Sequence, residues 1–308
     1  MARCLVIGAN GFLGSHLLDE LALRGHEMTA FDRFSSVHPL YLSQGVTAVA
    51  GDFLNRADLA CALVGQEFVF HFVSTTTPMS ADNDPTLDVR TNVATSIDLF
   101  ELCVEAGVRK VYFASTGGAI YGDQLGAPLT ELSLPQPVSP YAIGKLTIER
   151  YLHYFERKYG LRSVALRISN PYGPRQGAMK VQGVIPIFLR RMYRGLPLTI
   201  FGDGSMVRDY LYVTDAARMI ADTVRMDTDH SLYNIGSGIG VSVNELVEII
   251  RDVTGRIPEL EYARVPPTFV DHAVLDVGRF GAEFETAATV SLREGIRRTW
   301  QDIIKEQS

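Results

Sequence analysis

Four apolar residues, Cys4–Ile7, run straight into Gly8-Ala9-Asn10-Gly11-Phe12-Leu13-Gly14, and a helical pattern follows near Gly14–Arg24. Glycines at this fixed spacing, between a strand and a helix, leave few folds open. The loop lets backbone N–H groups approach a pyrophosphate, and the helix N-terminus adds partial positive charge. Its spacing is GxxGxxG rather than the commoner GxGxxG, and taken alone it is also compatible with a plain structural turn. Asp32, which ends the second strand, adds the second half of the pattern. An acid there accepts hydrogen bonds from a ribose 2′-OH and repels a 2′-phosphate, which favours NAD over NADP. Arg33 beside it keeps NADP open, because a guanidinium suits a phosphate. Gly8, Asn10, Gly11, Phe12, Leu13, Gly14, Asp32 and Arg33 are thus candidates for holding a dinucleotide. Asp52 and Phe53 close the third strand. Asp52 reads either as a cap for the helix beginning near Arg56 or as a contact to an adenine ring.

The first half of the chain alternates strand-like runs with amphipathic helices. The runs are Cys4–Ile7, Glu27–Phe31, Val46–Ala50, Phe68–Phe72, Val111–Ala114 and Ser163–Arg167. The helical stretches fall near Gly14–Arg24, Arg56–Leu63, Pro85–Ala106 and Tyr141–Tyr159. Strand, helix, strand, repeated, predicts an α/β fold: a Rossmann-type doubly wound parallel sheet with helices on both faces. After Arg167 the rhythm changes. Asn170–Gly183 is rich in Pro, Gly and Gln and reads as a long functional loop. A helix at Ile185–Arg194, a strand at Leu198–Phe201, a helix at Thr214–Met226, a strand at Leu232–Ile235 and a helix at Val243–Thr254 follow. The expected division is residues 1–168, with about 205–237, as the NAD-binding domain, and about 169–204 with 238–308 as a smaller C-terminal substrate-binding lobe.

Composition narrows the functions. A net charge of -6 argues against a nucleic-acid partner, which would favour a basic face. Three scattered cysteines, Cys4, Cys61 and Cys103, supply neither a disulfide framework nor a zinc site, and the seven histidines show no close pairing. No metal is expected, and a reducing cytoplasm fits best. Cys4–Leu18 is uncharged and follows Arg3, loosely like a secretory leader, but its glycine spacing is better explained by the strand and turn. No apolar run approaches the roughly 20 residues of a membrane span.

The chemistry-bearing constellation is Tyr141-Ala-Ile-Gly-Lys145. Residues four apart on a helix share a face, so a phenol and an ammonium can point into one site. The cation is expected to favour phenolate and lower the tyrosine pKa toward working pH. Ser139-Pro140 gives that helix a start, which places Tyr141 in its first turn. Upstream, Phe113-Ala-Ser115-Thr116-Gly-Gly-Ala-Ile-Tyr121-Gly122 ends a buried strand in hydroxyls and glycines. Such strand ends face the crevice where open α/β sheets bind ligands.

The loop at Gly8–Gly14, the Ser115-Thr116 strand end and the Tyr141/Lys145 pair together resemble extended short-chain dehydrogenases/reductases, with the closest likeness to UDP-glucose 4-epimerase-like enzymes. Asn92 within Val89–Thr95, the segment Leu166–Arg175 and the segment Gly202–Tyr210 agree, so the resemblance runs from about residue 3 to about 255. It implies NAD as cofactor, with Asn92 among its contacts, and a nucleotide sugar as substrate. It implies that Tyr141 takes the sugar hydroxyl proton and that Lys145 binds the nicotinamide ribose and tunes the tyrosine. Thr116, or Ser115 in its place, would hydrogen-bond the reacting oxygen. Asn170 and Arg208 would hold the diphosphate; Arg208 otherwise reads as a surface ion pair with Asp209. A homodimer through the helices around Val89–Ala106 and Tyr141–Tyr159 is implied as well.

The implied reaction is epimerisation through a transient 4-keto sugar, as in UDP-glucose or UDP-N-acetylglucosamine 4-epimerases. Related 4,6-dehydratases carry an Asp-Glu pair after the threonine, where this chain has Gly117-Gly118, which speaks against dehydration. The alternative is an NAD(P)H-dependent reductase of a 4-keto sugar, using the same Tyr and Lys. A non-catalytic dinucleotide sensor is a third reading, disfavoured because both residues are retained. One segment departs from the pattern. In Arg264–Ala273, Pro266 stands where relatives carry an arginine and Phe269 where they carry an acid. Ala273 falls near the position whose size limits room for an N-acetyl group.

Overall fold

The computed structural model describes residues 1–35, 40–124, 128–176, 183–224, 227–228 and 230–307. In chain order the elements are β1 (Arg3–Ile7), α1 (Phe12–Leu23), β2 (Glu27–Asp32), β3 (Thr47–Ala50), α2 (Arg56–Leu63), β4 (Phe68–His71), α3 (Pro78–Asn83), α4 (Pro85–Asp88), a π-helical turn (Val89–Val93), α5 (Ala94–Glu105), β5 (Lys110–Thr116), α6 (Pro140–Tyr159) and β6 (Arg162–Ile168). They are followed by β7 (Asn170–Tyr172), α7 (Val184–Tyr193), β8 (Leu198–Phe201), β9 (Val207–Tyr212), α8 (Val213–Asp222), β10 (Leu232–Ile235), β11 (Gly240–Ser242), α9 (Val243–Thr254), β12 (Leu260–Ala263), β13 (His272–Ala273), α10 (Gly278–Phe284) and α11 (Leu292–Gln307). By contact density the chain divides into two compact units. The first holds Met1–Thr116, Ser139–Arg167 and Ile220–Tyr233; the second holds Gly117–Val138, Ile168–Met219 and Asn234–Ser308.

The first unit is built on a seven-stranded sheet of order β10-β6-β5-β4-β1-β2-β3. The pairings β3–β2, β2–β1, β1–β4 and β4–β5 are all parallel. This is the doubly wound arrangement expected from the alternating pattern, and its strand order reverses between β1 and β4. In such sheets the carboxyl ends of the strands at the reversal are where ligands bind. The core beneath includes Leu5, Ile7, Phe31, Val69, Phe100, Phe113, Leu152 and Phe155. Phe100 of α5 meets Phe155 of α6 edge to face, with ring centroids 5.6 Å apart. Each such ring contributes roughly 1.5–3 kcal/mol by leaving water.

Local chemistry sets the helix ends. Ser139 caps α6 by accepting the Ala142 N–H, Pro140 occupies its first position, and Gly160 closes it at φ +73°. The helix expected over Pro85–Ala106 is not continuous: α4 gives way to the π turn before α5 begins. Thr91 Oγ1 donates to the Leu87 carbonyl at 2.8 Å, within the stretch where the regular ladder is broken. Nor does Asp52 cap α2. Asn55 does, accepting the Ala57 N–H at 3.0 Å, whereas Asp52 accepts from Leu54 in a local turn. A side-chain cap must stand directly before the helix, and Asn55 does.

The second unit centres on β9, which pairs with β7 and β13 in parallel and with β11 antiparallel; β8 and β12 form a separate parallel pair. Helices α7, α9 and α11 bury Leu189, Met192, Leu246, Ile250, Ile296 and Trp300 in one cluster. The Ser242–Glu245 capping box starts α9, so the predicted Val243–Thr254 matches residue for residue. Two expectations meet different backbone. Asn170–Tyr172 is strand rather than loop, and residues 177–182 of the same stretch lie outside the described residues. The helix predicted over Thr214–Met226 ends at Asp222, and Met226 too lies outside them.

Candidate active site

The glycine loop closes on itself through short backbone bonds. Gly11 N–H donates to the Gly8 carbonyl at 3.0 Å, and Gly8 itself sits at φ +86°. A Cβ on Gly8 would lie 2.8 Å from the Val73 nitrogen, and one on Gly14 only 2.2 Å from the Gly8 oxygen. Both positions therefore require glycine. Helix α1 starts at Gly11 with no side-chain cap and no acid in its first turn. Its leading N–H groups are left for an anion, which is what a dinucleotide's diphosphate would use. Asp32 is tied to this loop: Oδ2 accepts the Asn10 N–H at 3.0 Å and Oδ1 the Arg33 N–H at 2.7 Å. Asn10 Oδ1 in turn accepts the Tyr41 N–H. Phe12 and Leu13 are partly buried in the first turn of α1, and the Arg33 side chain is exposed. The loop, the uncapped helix and the acid at the end of β2 fit a dinucleotide.

Two other cofactor candidates are occupied by the protein itself. Phe53 is buried in the core, its ring 5.2 Å from that of His71, so its side chain is not at the surface of a pocket. Asn92 is buried as well. Its Nδ2 donates to Asp88 Oδ1 and Thr76 Oγ1, and its Oδ1 accepts from the N–H and hydroxyl of Thr75. With both ends of the amide satisfied, Asn92 holds the turn after β4 in place.

Tyr141 and Lys145 stand on one face of α6 against β5. Lys145 Nζ donates to the Ala114 carbonyl at 2.8 Å, lies 4.7 Å from the Phe113 ring centre and is 5.7 Å from that of Tyr141. The expected direction of the tyrosine shift does not hold. Burial, with the Asp88 charge adding to it, pushes the phenol up to about 12. Burial also pulls Lys145 down to about 8, although Asp88 and Glu149 support its charge. Desolvation by burial is the largest cause of both shifts.

Ser115 and Thr116 end β5, but their roles separate. Ser115 Oγ donates to Glu149 Oε1 at 2.6 Å, beneath the Tyr–Lys pair. Glu149 also takes a two-pronged bond from Arg167, Nε to Oε1 at 3.1 Å and Nη2 to Oε2 at 2.7 Å; their side chains are 8% and 3% exposed. Thr116, partly exposed, has the freer hydroxyl. Glu149 is absent from the residues that the sequence singles out, yet it stands four residues beyond Lys145, and that spacing alone puts it on the same face. His71 is absent from them too. It is fully buried, is driven to about 3 by burial and by Lys145, and stays neutral with Nε2 on Ser96 Oγ at 2.7 Å.

In the second unit, Asn170 Nδ2 donates to the Asp209 carbonyl at 3.0 Å, and its side chain lies against Gly118, where a Cβ would be 3.2 Å from Oδ1. Arg208 forms no ion pair with Asp209. Its guanidinium donates to the carbonyls of Val207, Asp271 and Val270, and Asp209 turns to Ser237 and Gly238. Alternation along β9 sends neighbouring side chains to opposite faces, which excludes the surface pair. Burial lowers the Arg208 pKa from its ordinary value. Ala273 is buried and paired in register with Arg208. The departing segment folds as a turn from Pro266 to Phe269, with the Phe269 ring set edge-on to Phe201 at 5.3 Å, and Arg264 is exposed. Among the described residues no group of three His, Cys, Asp or Glu is placed to hold a metal, and no helix is long and apolar enough to cross a membrane.

Comparison with known proteins adds three findings. Residues 4–236 match the family described as NAD dependent epimerase/dehydratase. A UDP-glucose 4-epimerase of Mycolicibacterium smegmatis is 34% identical over 306 residues, covering 96% of this chain and 97% of that one. Two solved structures superpose closely. The UDP-glucose 4-epimerase of Thermotoga maritima with UDP-glucose has a TM-score of 0.93 at 35% identity, covering 99% and 100% of the two chains. That of Thermus thermophilus in complex with NAD has a TM-score of 0.91 at 34% identity, covering 98% and 99%.

Proposed function

Because the chain belongs to the NAD dependent epimerase/dehydratase family, we propose that it inverts a hydroxyl-bearing carbon of a nucleotide-diphosphate sugar, at C4, through a transient 4-keto sugar. The observation that carries this reading is the placement of Tyr141 and Lys145 on one face of α6, with Lys145 tied to the end of β5. We assign cofactor binding to the first unit and nucleotide-sugar binding to the second. The Gly8–Gly14 loop and the first turn of α1 would hold the diphosphate of NAD, and Asp32 its adenine ribose. Bound NAD supplies a hydride acceptor and donor, and that chemistry belongs to the cofactor.

The chain's own residues handle the proton. Tyr141 accepts it from the sugar 4-hydroxyl as that carbon is oxidised and gives it back on reduction. The Thr116 hydroxyl bonds the same oxygen and orients it. The Lys145 ammonium stabilises the phenolate, while Ser115, Glu149 and Arg167 brace α6 against the sheet. Arg208 and Asn170 hold the sugar nucleotide's diphosphate. Gly117 and Gly118 offer no side chain for a second acid or base, so the neighbouring carbon keeps its substituents.

Incubation with UDP-glucose, UDP-N-acetylglucosamine and UDP-glucuronate tests the reading. Interconversion of 4-epimers without net consumption of cofactor supports it; no interconversion, together with stoichiometric oxidation of NAD(P)H on an added nucleotide 4-keto sugar, replaces it with the reductase. Tight NAD binding without turnover of any of them would favour a sensor. The small Ala273 favours room for an N-acetyl group, so UDP-N-acetylglucosamine should be turned over at least as well as UDP-glucose. We place the enzyme in the cytoplasm as a homodimer, in keeping with the half-exposed Ile143 and Tyr154 on α6.

Two variants separate the binding roles. Asp32→Ala should weaken NAD about 10-fold and narrow its preference over NADP, as measured by titration calorimetry. An unchanged preference would remove Asp32 from ribose recognition. Arg208→Lys keeps the charge but loses the fork, so KM for the nucleotide sugar should rise roughly 10- to 100-fold with a smaller fall in kcat. A fall in kcat at unchanged KM would contradict a diphosphate contact.

A further inference from the structure

Asp88 ends α4 and is 2% exposed. A carboxylate this deep needs partners, and Oδ1 has two, Thr76 Oγ1 and Asn92 Nδ2. Oδ2 is different: among the described residues no donor is hydrogen-bonded to it and no Lys or Arg is ion-paired with Asp88. It lies against the Cα of Gly144, where a Cβ would come within 1.8 Å of it. Gly144 directly precedes Lys145 on α6 and is three residues beyond Tyr141. A side chain at 144 would force Oδ2 away from the helix against the two bonds that hold Oδ1, so the glycine is what allows this close approach. A buried charge without a cation in contact acts on whatever titrates beside it.

The groups beside it are Tyr141 and Lys145, and the negative charge opposes ionisation of the phenol while favouring the ammonium. The other ionisable groups around this pair are few. Glu149 acts on Lys145 from the same helix and is itself paired with Arg167 of β6. His71 of β4 is neutral. Asp82 and Asp84, on and after α3, are exposed or half-exposed, and Asp98, Glu101 and Glu105 of α5 turn outward to Arg56.

We propose that Asp88 is a positioning residue for the Tyr141–Lys145 pair, admitted by the missing side chain of Gly144, and that it sets the pH range over which that pair works. The proposal rests on the reading of Tyr141 and Lys145 given above. Asp88→Asn keeps an oxygen for Thr76 and Asn92 and removes the charge. With the charge gone, the phenol and the ammonium both lose their protons more readily, so both limbs of kcat/KM move to lower pH. The whole profile with a UDP-sugar should slide down by about 0.5–1 pH unit.

A fall in turnover at every pH with both limbs unmoved, or limbs moving in opposite directions, overturns the proposal. A readout without turnover is the carbon-13 resonance of the Tyr141 Cζ in tyrosine-labelled protein, assigned by its loss in Tyr141→Phe. It should titrate at lower pH in Asp88→Asn, and coincident curves would count against the role. Gly144→Ala gives a second check. It should lower turnover at least about 10-fold, and adding Asp88→Ala should recover most of the loss while keeping the shifted profile. Wild-type behaviour of Gly144→Ala overturns the close approach itself. Full turnover by Tyr141→Phe would instead sink the underlying site assignment, so the two failures are distinguishable.

Discussion

Tyr141→Phe is expected to reduce turnover of the UDP-sugar by about 10²–10⁴-fold, the range set by loss of a positioned proton acceptor. NAD affinity should stay within about threefold of wild type, because the glycine loop, Asp32 and Lys145 are untouched. The physical reason lies in the resting state of the site. With the phenol pushed up to about 12 by burial and by Asp88, only about one molecule in 10⁵ carries phenolate at neutral pH before ligands bind. The base therefore has to form once ligands are bound, and no neighbouring hydroxyl can replace it. Thr116 donates and accepts but does not ionise in this range. Lys145, at about 8, loses its proton in mildly alkaline solution while the phenol keeps its own to higher pH, so the fraction holding phenolate beside ammonium should rise up to about pH 8 and then level off. Single-turnover oxidation followed at the absorbance of reduced cofactor, beside calorimetry for NAD, checks both halves. Turnover within about tenfold of wild type would remove Tyr141 from the chemistry.

Glu149→Ala is expected to cost about 3–5 kcal/mol of stability, read from denaturant midpoints. The penalty comes from the guanidinium left behind. Arg167 is 3% exposed and gives two bonds to Glu149, and Ser115 gives a third. Removing the carboxylate strands a buried cation at the foot of the helix that carries Tyr141 and Lys145. Replacing both partners with apolar residues, Glu149→Leu with Arg167→Met, should restore most of the loss, since an absent pair strands no charge. A single-variant loss below about 1 kcal/mol would mean that water reaches Arg167 and that the pair is not a structural brace.

Much of the first unit is legible in the sequence because its signals are local. Gly8 takes a positive φ and neither Gly8 nor Gly14 has room for a Cβ, and Arg56–Leu63 stands as read; in the second unit Leu198–Phe201 and Val243–Thr254 do so too, because their pattern and end residues agree. Strand β9 escapes such a reading because Arg208 and Asp209 interrupt its apolar run; the structure buries Asp209 by surrounding it with Ser237 and Gly238 donors that lie far away in sequence. The break at Val89–Val93 is invisible because no Gly or Pro marks it, and the apolar spacing that defines the helix, Val93, Ile97, Phe100 and Val104, begins only at its end. In the site, spacing puts Tyr141 and Lys145 on one face but does not report their surroundings, so it gives the tyrosine shift the wrong sign. Asp88 has no signal of its own. What gives it meaning is the space at Gly144, a property of two helices packed together.

That space also bears on how this chain can change over time. With a carboxylate pressed on the α-carbon of residue 144, neither position is free to drift alone. Gaining any side chain at 144 demands a smaller occupant at 88, and losing the acid leaves a hole that a serine or alanine across the contact could fill. Lineages of this enzyme should therefore gain a side chain at 144 only together with a smaller residue at 88, and an ancestor reconstructed with the residue-144 change alone should turn over poorly until residue 88 shrinks.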